Sequence, residues 1–288
     1  MENAMLTITV LIENETSSGT LTCEHGLSFL LTCDGKTLLF DTGASDSFLH
    51  NADVLSVNLD AVSTIVLSHG HRDHAGGLEH ILNRFEQNAC HSGERSRLPE
   101  VIAHPDILLH RRYTATEKEP GKYIGVPESA LALLQNRPLR LLKEPLQLTE
   151  NLLYLGEIPR KYPETQALLG EISRDGIYEP DRILDDSALV YLNGQGANRA
   201  MTIIAGCAHS GIINVIEHAK AVTGVSRVHA VIGGLHTKDA SEAVKERTIR
   251  YFAEQDIEIL RGCHCTGNAL NGVAQQKSMH TGDYLEIT

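Results

Sequence analysis

The feature that most constrains this chain is a cluster of metal-ligand side chains directly after an apolar run. Residues 62–67 (VSTIVL) are rich in apolar and β-branched side chains, which predicts a buried strand. His69, His71, Asp73 and His74 follow within six positions. Two glycines then precede an apolar run that predicts the start of a helix. Such a turn, at the end of a central strand, is where α/β proteins place their chemistry.

The spacing of these four side chains predicts two groups of ligands. His69 and His71, here called the first group, can converge on one metal ion. Asp73 and His74, the second group, can face another ion beside it. Neutral imidazole and carboxylate are ligands that zinc, iron and manganese accept. Most of the 15 histidines of a chain like this have no special role, but four ligand-type residues in six positions are hard to explain without a metal.

The segment His69-Gly70-His71-Arg72-Asp73-His74 has the pattern HxHxDH, and it resembles the signature of the metallo-β-lactamase superfamily. The resemblance implies an α/β fold, a four-layer αββα sandwich with one or two metal ions at a shared edge. We expect residues 1–288 to form a single domain of this type, because a second αβ half follows the first. Further phrases resemble a subfamily that includes 7,8-dihydropterin-6-yl-methyl-4-(β-D-ribofuranosyl)aminobenzene 5′-phosphate synthase; they are residues 39–43, 67–78, 185–189, 206–214, 233–236 and 264–267.

Two later strands are predicted to end in histidines that complete the two groups. Residues 201–205 predict a buried strand, and we expect the following His209 to be the third ligand of the first group. Residues 257–260 predict another strand, and we expect the following His264 to join the second group. Cys207 either ligates or packs under its loop. Because side chains alternate along an extended backbone, we expect Cys263 and Cys265 to point away from the site.

Two residues have roles that the resemblance implies but leaves open. Asp41 follows a predicted strand over residues 36–40 and either orients a metal-binding histidine or caps the Asp-Thr-Gly turn. Many superfamily members carry a bridging aspartate where this chain has Gly-Gly-Leu-His236, with Asp239 nearby. One alternative is that His236 enters the site instead and binds substrate or acts as an acid. The other is that the bridging ligand is missing and the second metal ion is bound weakly.

Other segments carry weaker predictions. Residues 156–180 lack a clear hydrophobic period, which predicts a lid or another segment that faces the substrate. Its clustered cations, Arg160 and Lys161, either meet an anionic group of the substrate or are solvated. His104 either lines the site or simply ends a strand. The pattern also predicts helices over residues 77–85, 106–112 and 268–276, and a polar loop over residues 87–98.

Composition excludes some classes of partner. The net charge of −12, the absence of tryptophan and an aromatic content of 5% argue against nucleic acid, which favours basic and stacking surfaces. The N-terminus lacks the pattern of a signal peptide, and no apolar run approaches the roughly 18 residues of a membrane span. We therefore expect a cytoplasmic protein without a membrane partner, whose six cysteines are thiols. The oligomeric state stays open.

These observations predict a dinuclear metal enzyme of the hydrolase type that acts on a small phosphorylated molecule. Two divalent ions, zinc first and manganese or iron otherwise, would lower the pKa of a water between them. Asp73 would orient that water, and His236 would protonate the leaving group. The alternatives are a transferase that displaces pyrophosphate from a pterin and a metal-binding sensor without catalysis. A di-iron redox role is disfavoured because the chain shows no flavin module.

Overall fold

Two β-sheets lie face to face at the centre of this computed structural model, which describes residues 5–92, 98–114, 116, 121–162, 170–270, 272–273 and 275–288. The strands are β1 (Leu6–Ile12), β2 (Ser28–Cys33), β3 (Lys36–Phe40), β4 (Val62–Val66), β5 (Glu100–Ala103), β6 (Arg111–Tyr113), β7 (Leu139–Leu141), β8 (Leu146–Gln147), β9 (Leu152–Tyr154), β10 (Gly170–Arg174), β11 (Ile177–Pro180), β12 (Ala188–Asn193), β13 (Ala200–Ala205), β14 (Val228–Gly234), β15 (Ile259–Cys263) and β16 (Tyr284–Ile287). The helices are α1 (Ser47–Val54), α2 (Arg72–Ala75), α3 (Leu78–Ser92), α4 (Glu128–Leu134), α5 (Ile212–Thr223) and α6 (Glu242–Glu254).

The strand order brings the predicted site loops to one end of both sheets. The first sheet has the order β16-β1-β2-β3-β4-β5-β7, and the second has β15-β14-β13-β12-β9-β8. Strands β3, β4 and β5 run parallel, as do β13, β14 and β15. Because the carboxyl ends of parallel neighbours meet at one edge, the loops that follow β3, β4, β13, β14 and β15 converge there. A third, smaller sheet has the order β11-β10-β6.

Three apolar clusters define four layers. One cluster lies between the two large sheets and contains Phe29, Phe40, Tyr154 and Tyr191. A second packs α1, α3 and α4 onto the outer face of the first sheet, and a third packs α5 and α6 onto the outer face of the second. Strands β12 and β13 are buried along their whole length, because each is covered on both faces. This arrangement is the αββα sandwich that the sequence predicted.

Helix α3 is longer than predicted. It continues to Ser92, through residues that we predicted as a polar loop; residues 93–97 of that loop lie outside the described residues. Leu78, Ile81, Leu82, Phe85 and Ala89 all pack in the second cluster or lie buried on this helix. Their spacing of three and four residues is helical, and the polar side chains between them lie on the solvent face.

Two other predicted helices are wrong. In place of a helix over residues 106–112, a 3₁₀ turn at Pro105–Leu108 precedes β6. In place of a helix over residues 268–276, the described part of this segment forms turns. The predicted excursion over residues 156–180 contains the β10–β11 hairpin, and residues 163–169 lie outside the described part. Asp175-Gly176 turns the hairpin with positive φ at both residues, which is a recognised hairpin signal.

Within the described part of the chain, every helix is too short or too polar to cross a membrane.

Candidate metal centre

The three histidines of the first group converge on one point. The Nε2 atom of His69 lies 3.0 Å from Nδ1 of His71 and 3.2 Å from Nε2 of His209. His69 and His209 are buried, and they come from loops after β4 and β13. The structure therefore brings together the three side chains that we assigned to the first metal ion.

The second group converges in the same way beside the first. Nε2 of His74 lies 3.2 Å from Nε2 of His264, and Oδ2 of Asp73 lies 3.4 Å from the same His264 atom. Asp73 Oδ2 and His74 Nε2 are 3.9 Å apart. The rings of His69 and His74 have centroids 4.3 Å apart, so the two groups are neighbours.

The spacing of the donor atoms fits metal ions. Two nitrogens that bind one tetrahedral ion at about 2.0–2.1 Å lie about 3.3 Å apart. The observed nitrogen separations of 3.0–3.2 Å are close to that value. Imidazole and carboxylate donors suit zinc, iron and manganese alike. Metal binding by the six predicted ligands (His69, His71, Asp73, His74, His209 and His264) remains a prediction.

Asp41 orients two of these histidines at once. Its buried carboxylate accepts hydrogen bonds from Nδ1 of His74 at 2.7 Å and from the hydroxyl and the amide of Ser68, both at 2.7 Å. The Ser68 hydroxyl in turn accepts from Nδ1 of His69 at 2.9 Å. With both Nδ1 atoms donating, Nε2 is the atom that each ring presents to a metal, and a bound metal replaces any proton on it. The geometry matches the orienting role that we considered for Asp41.

His264 is held by two residues that the sequence did not point to. Asn14 Oδ1 lies 3.1 Å from His264 Nδ1 and can accept a hydrogen bond from it, while Asn14 Nδ2 donates to the His264 carbonyl. The buried carboxylate of Glu13 accepts from the His264 amide at 2.5 Å. Both residues follow β1, more than 200 positions away in the chain, so no local pattern could have linked them to His264.

Left-handed backbone conformations shape the site. Asp41, Ala208, His236 and His264 have φ between +51° and +60°. Such values are uncommon for residues other than glycine, and they cluster at functional sites. At His264 this conformation interrupts the alternation of side-chain directions that an extended chain would have.

Comparison with known proteins identifies the fold and the family. Residues 21–132 match the Metallo-beta-lactamase superfamily. An uncharacterized protein of Methanocaldococcus jannaschii, MJ0448, is 32% identical over 97% of this chain and 100% of its own length. The crystal structure of Tm1679, described as a metal-dependent hydrolase of the β-lactamase superfamily, is similar with a TM-score of 0.79 and 25% identity, over 98% of this chain and 99% of that one. This chain belongs to the metallo-β-lactamase superfamily.

One relative in the superfamily carries a specific name. The 7,8-dihydropterin-6-methyl-4-(beta-D-ribofuranosyl)-aminobenzene-5′-phosphate synthase of Methanocaldococcus jannaschii is 29% identical over 85% of this chain and 81% of its own length. The fold of the superfamily implies that this chain binds metal.

Burial keeps the imidazoles of the first group neutral. Burial, followed by the neighbouring imidazoles, holds the pKa of His69 and of His209 well below the ordinary value for histidine. Burial also lowers the pKa of His71 to about 4. Neutral imidazole is the form that binds metal, so the three rings are in the required state at neutral pH.

The second group carries charge. Burial lowers the pKa of His74, but the carboxylates of Asp41 and Asp73 outweigh it and raise that pKa to about 9. Burial raises the pKa of Asp73, but His74, His25 and His264 together hold it well below its usual range. Asp73 is therefore an ionised carboxylate, the form that binds a cation.

A pocket of about 520 Å³ opens onto the donor atoms and includes His71, Asp73, His209 and His264 in its wall. His236 also lines this pocket, with its ring centroid 4.3 Å from that of His209. The structure thus places His236 in the site, as one of the two alternatives predicted. Of the described carboxylates, those of Asp73 and Asp239 line the pocket.

Cys265 and His25 lie in the pocket although the sequence did not predict them there, and Cys207, for which we left ligation open, lies there too. Cys207 and Cys265 line it with their sulfur atoms 3.0 Å apart, so the prediction that Cys265 points away is wrong. The left-handed backbone at His264 turns Cys265 inward, while Cys263 packs between the sheets as predicted. His25 lies at the pocket mouth with Nε2 3.2 Å from Asp73 Oδ2.

Two residues that we considered for the site lie elsewhere. Arg160 donates from Nη2 to the carbonyl of Ile183 at 2.7 Å and is not among the described residues that line the pocket. His104 is buried at the end of β5, where Nδ1 accepts from the Asp106 amide and Nε2 lies 3.1 Å from Glu157. The substrate role predicted for Arg160 therefore finds no support in its position.

Proposed function

We propose that this chain is a metal-dependent enzyme that uses two divalent ions, with zinc preferred, to hydrolyse a small phosphorylated substrate. The observation that carries the proposal is the placement of two adjacent donor groups in the wall of one pocket, with interatomic separations suited to metal. His69, His71 and His209 would hold one ion, and Asp73, His74 and His264 the other. Ions in such a site lower the pKa of water and neutralise charge on a phosphoryl group.

Cationic side chains around the same pocket support an anionic substrate. Arg72, Lys122 and Lys238 line it and are exposed, so their charged ends can reach a phosphate. Lysine and arginine are the residues that most often bind phosphate oxygens. The proposed substrate is therefore a small phosphate or pyrophosphate ester, although the chain as a whole carries a net charge of −12.

Two histidines are placed to move protons. His25 and His236 line the pocket in addition to the predicted ligands. When water adds to phosphorus and the ester bond to the leaving oxygen breaks, that oxygen needs a proton. An imidazole at neutral pH can donate it and regain it from solvent. Asp73, an ionised carboxylate within 3.4 Å of His264, would fix the position of the attacking water.

A second candidate function is transfer with release of pyrophosphate. The named synthase among the relatives supports it, because its product contains a pterin and a ribose phosphate. Tyr113 and Tyr123 line the pocket beside the cations, and aromatic side chains stack on flat heterocycles. In this version a carbon or nitrogen of a second substrate, rather than water, would displace pyrophosphate.

The test is turnover of a panel of phosphate diesters, thioesters and pterin pyrophosphates by the metal-reconstituted chain, with Lys238→Ala and Lys245→Ala compared. Lys245 lies on α6, where it pairs with Glu242, and serves as a matched control. We expect turnover of a phosphorylated compound, with KM at least 10-fold higher in Lys238→Ala and unchanged in Lys245→Ala. Turnover of a pterin pyrophosphate only with an amine acceptor would favour the transferase. Bound metal without any turnover would favour a sensor.

A further inference from the structure

Cys207 occupies the space between the two donor groups. Its sulfur forms one set of close donor atoms with His69 and His209, and another with His74 and His264. Within each set all donor atoms lie within 4.8 Å of one another. A sulfur at about 2.3 Å and a nitrogen at about 2.0–2.1 Å from one tetrahedral ion lie about 3.6 Å apart. The sulfur therefore lies close to the donor atoms of both groups.

The Cys207 sulfur lies where a ligand shared by two metal ions would lie. The sequence has Gly-Gly-Leu-His236 where many superfamily members carry a bridging aspartate. The structure places no described carboxylate other than Asp73 and Asp239 in the pocket wall. Two ions in adjacent groups would repel each other unless a negative ligand lay between them. The thiol of Cys207 is buried, and a coordinating thiol is deprotonated outright by the ion that it binds.

The surroundings of Cys207 suit a metal-bound sulfur. His236 Nδ1 lies 3.4 Å from the sulfur and can donate a hydrogen bond to a thiolate there. The Cys207 thiol donates to Cys265 Sγ at 3.0 Å, and this is the proton that a bound ion would displace. The left-handed backbone at Ala208 turns the chain so that Cys207 and His209, two residues apart, both face the donor groups. Gly206 has no room for a side chain, since a Cβ there would lie 2.1 Å from the Ser68 hydroxyl oxygen.

We propose that Cys207 is a metal ligand shared by the two ions, in place of a bridging carboxylate, and that His236 supports its thiolate. The inference rests on the dinuclear site of the proposed function. It also narrows the metal, because thiolate ligands select zinc and other soft ions over manganese and magnesium. His236 would then donate a hydrogen bond from Nδ1 to the thiolate, and its Nε2 would be available to the substrate.

The test is X-ray absorption of the zinc-loaded chain, together with the electronic spectrum of the cobalt-loaded chain. We expect a sulfur neighbour of zinc at about 2.3 Å besides nitrogen and oxygen at about 2.0–2.1 Å. We also expect a thiolate-to-cobalt charge-transfer band in the near ultraviolet. Cys207→Ser should lose both signals, whereas Cys265→Ser and the exposed Cys23→Ser should keep them. Circular dichroism melts of all variants check that they fold.

The outcomes separate this inference from the proposed function. Metal bound by wild type without a sulfur signal would overturn the role of Cys207 and leave the dinuclear enzyme standing. A signal lost in Cys265→Ser but kept in Cys207→Ser would overturn it as well, by naming the wrong cysteine. Loss of the sulfur signals in both Cys207→Ser and Cys265→Ser would contradict the proposal that Cys207 alone supplies the sulfur ligand. Absence of metal in wild type would overturn the proposed function itself. If Cys207→Ser does not fold, a sulfur signal kept in Cys265→Ser still assigns the ligand to Cys207, and a signal lost there overturns the assignment.

Discussion

At the scale of single residues, one buried carboxylate organises the centre. Asp41 bonds directly to His74 and reaches His69 through the hydroxyl of Ser68. Fixing Nδ1 as the donor on both rings leaves Nε2 of each available for a metal. Losing a partner of this kind typically lowers metal affinity or activity about 10- to 100-fold, although the partner touches no metal.

Replacing Asp41 by asparagine should weaken metal binding. The amide group would place a donor against the donating Nδ1 of His74, so the ring would have to change its tautomer and give up the free pair on Nε2. We expect zinc affinity to fall about 10- to 100-fold, as measured by competition with a chromophoric chelator. Asp34→Asn is the matched control, since Asp34 bonds to Thr149 and Asn151 away from the site. Equal affinity in Asp41→Asn and wild type would contradict this role.

At the scale of elements, a buried arginine on β6 fastens the loop that carries the HxHxDH motif. Arg111 lies between Asp181, at 2.7 Å, and Asp185, at 2.5 Å, and all three are buried. The other oxygen of Asp185 accepts from the amide of Gly70 at 2.7 Å. The small third sheet is thereby coupled to the metal loop. Removing one partner of a buried ion pair strongly destabilises a protein, because the other charge is left buried without compensation.

Gly70→Ala should strain that junction. A Cβ at Gly70 would lie 2.2 Å from Nη1 of Arg111, whose guanidinium is held by two carboxylates and cannot move aside. We expect a loss of about 1–3 kcal/mol in the free energy of unfolding, from urea denaturation. Gly19→Ala is the control, because a Cβ there meets no atom within 4 Å. Equal stability of the two variants would show that the junction can relax.

A second junction should respond to acid. Asp106, in the 3₁₀ turn after β5, bonds to Arg174 on β10, with Nη1 to Oδ1 at 3.2 Å. Burial raises the pKa of Asp106, but Arg174, His104 and Lys143 face it and lower that pKa below the ordinary 3.8. A lowered pKa contributes stability above the ordinary value and loses it as pH falls through the folded value. Asp106→Asn should therefore melt below wild type at pH 7, and the gap should close as pH falls below about 4. A gap that is constant with pH would contradict the ion pair.

At the scale of the whole molecule, the apolar layer between the two sheets holds the fold together. Tyr191 on β12 lies in this layer, and its hydroxyl has no hydrogen-bond partner among the described residues. Burial accordingly raises the pKa of this tyrosine. A buried hydroxyl without a partner costs free energy that a matching apolar group does not.

Tyr191→Phe should stabilise the chain. We expect the free energy of unfolding to rise by roughly 1 kcal/mol, measured by chemical denaturation. Tyr251→Phe gives the matched comparison: its hydroxyl donates to Glu217 at 2.5 Å and accepts from Lys220 at 3.2 Å, so that variant should lose about 1 kcal/mol. A destabilised Tyr191→Phe would mean that the hydroxyl has a partner, such as a buried water.

The two donor groups could be predicted because they depend on local patterns, and the sandwich could be predicted because the HxHxDH segment resembles the signature of a superfamily with that fold. Apolar β-branched runs mark the central strands, and the histidines stand at their ends. His25, Glu13 and Asn14 could not be predicted, because tertiary contact alone brings them to the second group. Cys265 was misplaced because an extended backbone was assumed at His264, whose φ is +55°. The hairpin at Asp175-Gly176 carried a usable signal that a lid interpretation overlooked.

The paired donor groups are proposed to hold two metal ions, one in each group. Elemental analysis of protein purified without chelator, and again after reconstitution with zinc, tests this proposal most directly. We expect close to two equivalents per chain, and close to one in His209→Ala or His264→Ala. One equivalent in wild type would contradict the paired site, and none after reconstitution would contradict the metalloenzyme altogether.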